Sequence, residues 1–200
     1  MTNLTLYWLI AKDRSNRVRW LLRELNVEFS EQQLNASTGE HCKGGYLDVN
    51  PFGKVPAIVT KDMTLSESGA ILLYLLEYFD TQHELSPGRD TDLWPRFLQW
   101  FFWGMTTFES AVFAFTSNQG EPQRADLERF MTPLDQTLES NDYLVGGSFT
   151  AADIVCAYDL GLLFGDYDLK AFPSVQAYLT RLLSRPAASS FAKAIGWPEN

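Results

Sequence analysis

Polar and apolar positions change period repeatedly over the first eighty residues. Leu4 to Ile10 is apolar on both faces, the pattern of a central strand. A polar turn, Ala11 to Ser15, follows. Val18, Leu21, Leu22 and Leu25 then recur at helical spacing. Val27 to Leu34 reads as a second strand, parallel to the first because a helix joins them. Residues 35–49 form a loop with a short helical piece. Val55 to Thr60 is a short β-branched strand with a proline near its start, Lys61 to Met63 a turn, and Thr64-Leu65 the return of a hairpin. Ser66-Glu67-Ser68 opens a helix from Glu67 to Phe79. The order β-α-β-α-β-β-α predicts an α/β layer.

Asp80 to Arg89 carries Pro87-Gly88 and reads as a linker. Beyond it only helical periodicity appears. Residues 92–118 predict one long aromatic helix containing Phe97, Trp100, Phe101, Phe108 and Val112. Residues 124–139 predict another, kinked or shortened by Pro133. Ser140 to Ser148 is a Gly-rich loop. Thr150 and Asp153 then have capping-box spacing, with Phe149 and Ile154 placed to staple the helix start. That helix runs to about Gly165, and residues 173–184 and 186–195 close the pattern. Two domains result: residues 1–80, α/β, and residues 90–200, all-helical.

Composition narrows the function. The 200 residues are 46% hydrophobic and 14% aromatic, ample for a packed core, and carry a net charge of −9. That balance opposes nucleic acid and anionic membrane surfaces as partners, but leaves room for a small anion held by local positive charge. Cys42 and Cys156 make no disulfide framework, which suits a cytoplasmic protein. With His41 and His83 the only histidines, no metal-site spacing arises. No signal peptide and no membrane-spanning apolar run is read.

The chemistry concentrates between Asn50 and Ser68. Asn50-Pro51-Phe52-Gly53 is turn chemistry, and Pro56 cannot donate to a sheet ladder. Ser66-Glu67-Ser68 puts hydroxyls and free backbone N–H groups at a helix start, which suits a carboxylate or phosphate.

Asn50-Pro51-Phe52-Gly53-Lys54-Val55-Pro56, Ser66-Glu67-Ser68 and Phe149-Thr150-Ala151-Ala152-Asp153-Ile154 together resemble the cytosolic glutathione S-transferases. Gly39-Glu40-His41 is similar to plant-type members, and Arg17 to Leu25 resembles the first helix of bacterial and fungal members. The resemblance covers the whole chain in order. It implies a thioredoxin-like glutathione-binding domain joined to an all-helical domain, and a cis Val55–Pro56 bond. The Val55 backbone would then pair with the cysteinyl backbone of glutathione as an added strand. It further implies that Ser68 receives the γ-glutamyl carboxylate, that Glu67 takes the ammonium, and that Lys54, His41 and Lys43 meet the glycyl carboxylate. A homodimer is implied, with Phe52 available for insertion into the partner subunit. An electrophile pocket is implied between the domains, with Trp8, Trp103, Thr107 and Phe108 as candidates.

The activating half of the site departs from the family pattern. Relatives supply a Tyr at the end of the first strand, or a Ser or Cys in the next turn. Here the turn reads Ala11-Lys12-Asp13-Arg14-Ser15-Asn16-Arg17, with Lys12 or Asp13 at the usual Ser position. Ser15 ranks first and Arg14 second as groups for the thiolate; Ser15 is equally suited to cap the helix. Either Asp13 points away from the sulfur or Lys12, Arg14 and Arg17 outweigh its charge. The implied function is conjugation of glutathione thiolate to small hydrophobic electrophiles. The alternatives are a non-catalytic binding or regulatory protein of the same fold, or a glutathione-dependent lyase, isomerase, peroxidase or reductase.

Overall fold

The computed structural model describes residues 4–118 and 120–198. The expectation of no signal peptide bears on Met1-Thr2-Asn3, which lie outside the described residues. The chain divides into two compact units, Met1–Thr81 and Gln82–Asn200.

The first unit contains a four-stranded sheet in the order β2-β1-β3-β4. Strand β1 (Thr5–Trp8) is internal. It pairs parallel with β2 (Ser30–Gln33) and antiparallel with β3 (Ala57–Val59), which pairs antiparallel with β4 (Thr64–Ser66). Strand β2 is shorter than the periodicity predicts, and its four polar residues are all exposed. An edge strand with a polar face is solvated without penalty and resists pairing with another chain. Helix α1 (Ser15–Glu24) packs against α3 (Ser68–Phe79), and α2 (Gly44–Leu47) is a single turn. Ser66 ends β4, and the third helix begins at Ser68, one residue later than the Glu67 start read from the sequence. Its hydrogen-bonded register with Ala57 holds it in the sheet.

This register decides where the chemistry lies. The C-terminal ends of β1 and β2, the entry to β3 and the exit of β4 share one end of the sheet. Within this unit, the connections carrying Lys12 to Ser15, His41, Lys54 and Glu67 all leave or enter there.

The second unit is helical: α4 (Leu93–Phe102), α5 (Glu109–Ser117), α6 (Glu121–Leu138), α7 (Ala151–Leu162), α8 (Pro173–Leu183) and α9 (Ser189–Ile195). Helices α4 and α5 are the long aromatic helix expected from the sequence, interrupted by a π-helical segment, Trp103–Phe108. Pro133 lies inside α6 without ending it. It is exposed, so the carbonyl that its missing N–H leaves unpaired can bind water. Helix α7 is buried along nearly its whole circumference, and its Thr150–Asp153 capping box is formed. Among the described residues no helix is long and apolar enough to cross a membrane.

Candidate functional site

The site begins at the turn that leaves β1. Its centre is Asp13, whose carboxylate reaches back into the turn. One oxygen accepts the backbone N–H of Leu9 at 2.7 Å and of Ile10 at 2.8 Å. The other accepts the Ser15 N–H at 2.9 Å and also the Ser15 hydroxyl. The backbone continues in tight i→i+3 turns, Asn16 N–H to Asp13 C=O and Arg17 N–H to Arg14 C=O, both 3.2 Å. Asp13 therefore caps the first helix and braces the turn before it.

This geometry corrects one sequence expectation. Ser15 is fully buried, and its hydroxyl proton is committed to Asp13. It is not presented as a donor to a bound sulfur. Arg14 is exposed at the start of α1, where its charge adds to the positive end of the helix. The turn is further anchored by Asn16, whose amide donates to the carbonyls of Ala11 at 2.8 Å and Asp13 at 2.9 Å. Arg19 donates to Asn16 at 2.9 Å, makes a paired contact with Glu31 of β2, and lies over the Trp8 ring at 5.4 Å. Trp8 is thus half-buried and engaged by Arg19.

The second wall is the stretch from His41 to Pro56. Gly53 has φ +60°, and a Cβ there would stand 3.0 Å from the His41 carbonyl oxygen. Only glycine fits both the left-handed backbone and that approach. The close approach brings the His41-Cys42 segment against the turn that carries Lys54. The His41 ring is half-buried, with its Nδ1 buried and unpartnered among the described residues. The Val55–Pro56 peptide is cis. Among the described residues, neither the N–H nor the C=O of Val55 is paired.

The third element is the start of α3. Glu67 has φ 67° and ψ 112°, an uncommon conformation for a residue with a side chain. Its carbonyl accepts from Ile71 N–H at 2.9 Å, starting the helix. Its side chain is exposed, while Ser68 is buried at the first helical position. The first N–H groups of α3 have no intrahelical acceptor and face the same end of the sheet as Val55.

Beside the β1–α1 turn lies an open cavity of about 560 Å³, lined by Leu9, Ile10, Ala11, Leu34, Ala36 and Ser37 among others. Ile10 is 52% exposed there. Sequence reasoning missed this wall because it assigned Leu9 and Ile10 to the strand. The available signal was the strand's own length: four residues pair, and the apolar run continues past them. In the helical unit, Thr107 is exposed and Trp103 half-buried. Phe108 is completely buried and stacked on Trp103, centroids 4.7 Å apart at 8°. The expectation that Phe108 lines a pocket is corrected: the residue is core.

Tyr46 of α2 is also buried, and its hydroxyl donates to the Lys54 carbonyl at 2.5 Å. Burial pushes its phenol up to about 12. The Asn50 hydrogen bond opposes that shift, and the Asp13 and Tyr7 charges add to it. The folded state therefore holds this proton more tightly than the unfolded chain does. Its contribution to stability is complete below pH 10 and is lost as pH rises towards about 12. Denaturant midpoints measured from pH 9 to 11.5 should fall more steeply for the unaltered protein than for Tyr46→Phe; parallel curves would refute this assignment.

Known proteins place this arrangement. Residues 2–77 match the family described as glutathione S-transferase, N-terminal domain, and residues 117–181 match its C-terminal domain. Glutathione S-transferase 2 of Schizosaccharomyces pombe is 30% identical, with 95% of each chain covered. Glutathione S-transferase F7 of Arabidopsis thaliana is 27% identical over 94% of this chain and 98% of its own. Among solved structures, glutathione transferase URE2P6 of Phanerochaete chrysosporium, in complex with oxidized glutathione, superposes with a TM-score of 0.82. It is 27% identical and covered over 97%, against 98% of this chain. The two domain matches, in this order and over a thioredoxin-like sheet followed by helices, show that the chain belongs to the glutathione S-transferase family.

Proposed function

We propose that this protein binds glutathione and transfers its thiolate to small hydrophobic electrophiles. The observation that carries the reading is Val55. Its unpaired N–H and C=O stand next to a cis proline, at the sheet end shared by the start of α3. A cysteinyl backbone can add there as a short strand. The γ-glutamyl carboxylate then sits on Ser68 and the first N–H groups of α3, with Glu67 taking the ammonium. Lys54 and His41 receive the glycyl carboxylate from the opposite side. Cavity walls at Leu9, Ile10 and Ala36 offer apolar surface to an electrophile beside the turn.

A thiol with pKa near 8.5 is only about 3% ionised at pH 7, so full ionisation contributes at most about 30-fold. Orientation of the two reactants supplies the larger share. With Ser15 committed to Asp13, the thiolate is favoured by the α1 terminus and Arg14. Phe52, 72% exposed on the turn beside Lys54, is assigned to a homodimer contact, and the two unbridged cysteines accord with a cytoplasmic setting.

Two measurements test this. The protein should be retained on immobilised glutathione, and Ser68→Ala with Glu67→Ala should weaken retention by at least about 10-fold, since charge-assisted hydrogen bonds are lost. Mixing with glutathione near pH 7 should also produce thiolate absorbance. Retention without thiolate, and without turnover of an activated aryl halide, would favour the second reading, a binding protein of the same fold. The commitment of Ser15 to Asp13 is the observation that keeps that reading in play.

A further inference from the structure

The Lys54 carbonyl accepts two side-chain hydrogen bonds, from the Tyr46 hydroxyl at 2.5 Å and from the Asn50 amide at 2.7 Å. A carbonyl oxygen has two lone pairs, so both are taken. The two donors are buried, Tyr46 at 4% and Asn50 at 2% exposure, and both spend a side-chain donor on the Lys54 carbonyl. We infer that Tyr46 and Asn50 are positioning residues that aim the Val55 N–H at the cysteinyl group of glutathione. This inference rests on the proposed role of Val55.

The argument is one of peptide geometry. The Lys54 carbonyl and the Val55 N–H belong to the same peptide. Among the described residues only the next peptide, Val55–Pro56, is cis, so the Lys54–Val55 unit is trans and planar. Its C=O and N–H point in opposite directions. Fixing the oxygen inward on two buried donors therefore fixes the N–H outward. Turning the peptide to satisfy the N–H internally would break both bonds and leave two buried donors unpaired.

The donors are themselves held. Asn50 accepts the Phe52 N–H on its side-chain oxygen at 3.1 Å, accepts the Gly53 N–H on its carbonyl at 3.0 Å, and donates its own N–H to the Tyr46 carbonyl at 2.8 Å. The Tyr46 ring lies 5.5 Å from that of Tyr7 in β1 and packs in a cluster with Leu34 and Ala57. The clamp thus refers the direction of the Val55 N–H to the central strand. It also ties that direction to the segment carrying His41, five residues before Tyr46.

Titration calorimetry on the full chain tests the inference, with glutathione and γ-glutamylcysteine as ligands. Tyr46→Phe keeps the ring in its cluster and removes only the donor. It should raise the Kd for both ligands about 10-fold and raise KM for glutathione in parallel. The value of kcat at saturating glutathione should stay within about twofold. Equal loss for the two ligands places the effect within the γ-glutamylcysteinyl part that they share, because γ-glutamylcysteine lacks the glycyl arm. Asn50→Ala should act in the same direction. A folded Tyr46→Phe protein that binds both ligands within twofold of the unaltered chain overturns the inference and leaves the proposed function standing. So does a loss confined to glutathione, which would place the effect at the glycyl end. No binding by the unaltered chain sinks the function and the inference together.

Discussion

Replacing Asp153 by alanine should destabilise the protein by about 3–5 kcal/mol, the largest effect expected of any single polar substitution in the helical unit. One carboxylate oxygen accepts the Leu144 N–H at 3.0 Å and the Tyr178 hydroxyl at 2.8 Å. The other accepts the Thr150 N–H at 2.7 Å and its hydroxyl at 3.1 Å. These donors come from the Gly-rich loop, the start of α7 and the middle of α8. Asp153 is therefore a junction of three segments as well as a helix cap. It is fully buried. Burial pushes its carboxyl above the usual range, and the four donors oppose that shift. Alanine would leave those donors unpaired in a site that admits little water. Urea unfolding gives the comparison: Tyr178→Phe should cost about 1 kcal/mol, since it removes one bond and leaves the rest. Asp168→Ala, which removes an exposed cap, should stay within about 0.5 kcal/mol. A loss below about 2 kcal/mol for Asp153→Ala would mean that the three segments hold without the junction.

This capping box was legible in the sequence because all its information is local: Thr, Asp and two flanking apolar residues within six positions. The same is true of the strand–helix alternation in the first unit and of the hairpin leading to α3. What did not show was chemistry set by hydrogen bonds between side chains and distant backbone. Tyr178 lies 25 positions from the carboxylate it meets. Tyr46 and Asn50 converge on Lys54 through a loop with no periodicity. The burial of Ser15, Asn16, Arg17 and Arg19 was also hidden, because a helix packed on both sides buries polar residues that apolar spacing places on its outer face. Phe108 shows the converse error. An aromatic at helical spacing reads equally as pocket wall or core, and only its stacking on Trp103 decides.

The β1–α1 turn makes the sharper test, since two physical effects predict opposite outcomes there. If the Asp13 charge lies open to the bound sulfur, it raises the thiol pKa, and neutralising it should increase activity. If its role is to brace the turn, neutralising it should decrease activity. Four accepted hydrogen bonds decide for the brace. Asp13→Asn retains one acceptor oxygen and should lower kcat/KM about 5-fold. Asp13→Ala retains none; it should lower kcat/KM by about 30-fold or more and destabilise by about 2–4 kcal/mol. Ile10 lines the cavity and Arg14 begins the helix, so a loosened turn misplaces both reactants. Because geometry and not ionisation is at fault, the ratio of mutant to unaltered rate should be the same at pH 6.5 and pH 9. A charge effect has a different signature. Asp13→Asn would then outperform the unaltered protein at pH 6.5, where most thiol is protonated, and the advantage would vanish by pH 9 as free thiol ionises unaided. That profile would mean that the carboxylate reaches the sulfur despite its four partners, and would return the turn to the conflict that its sequence suggests.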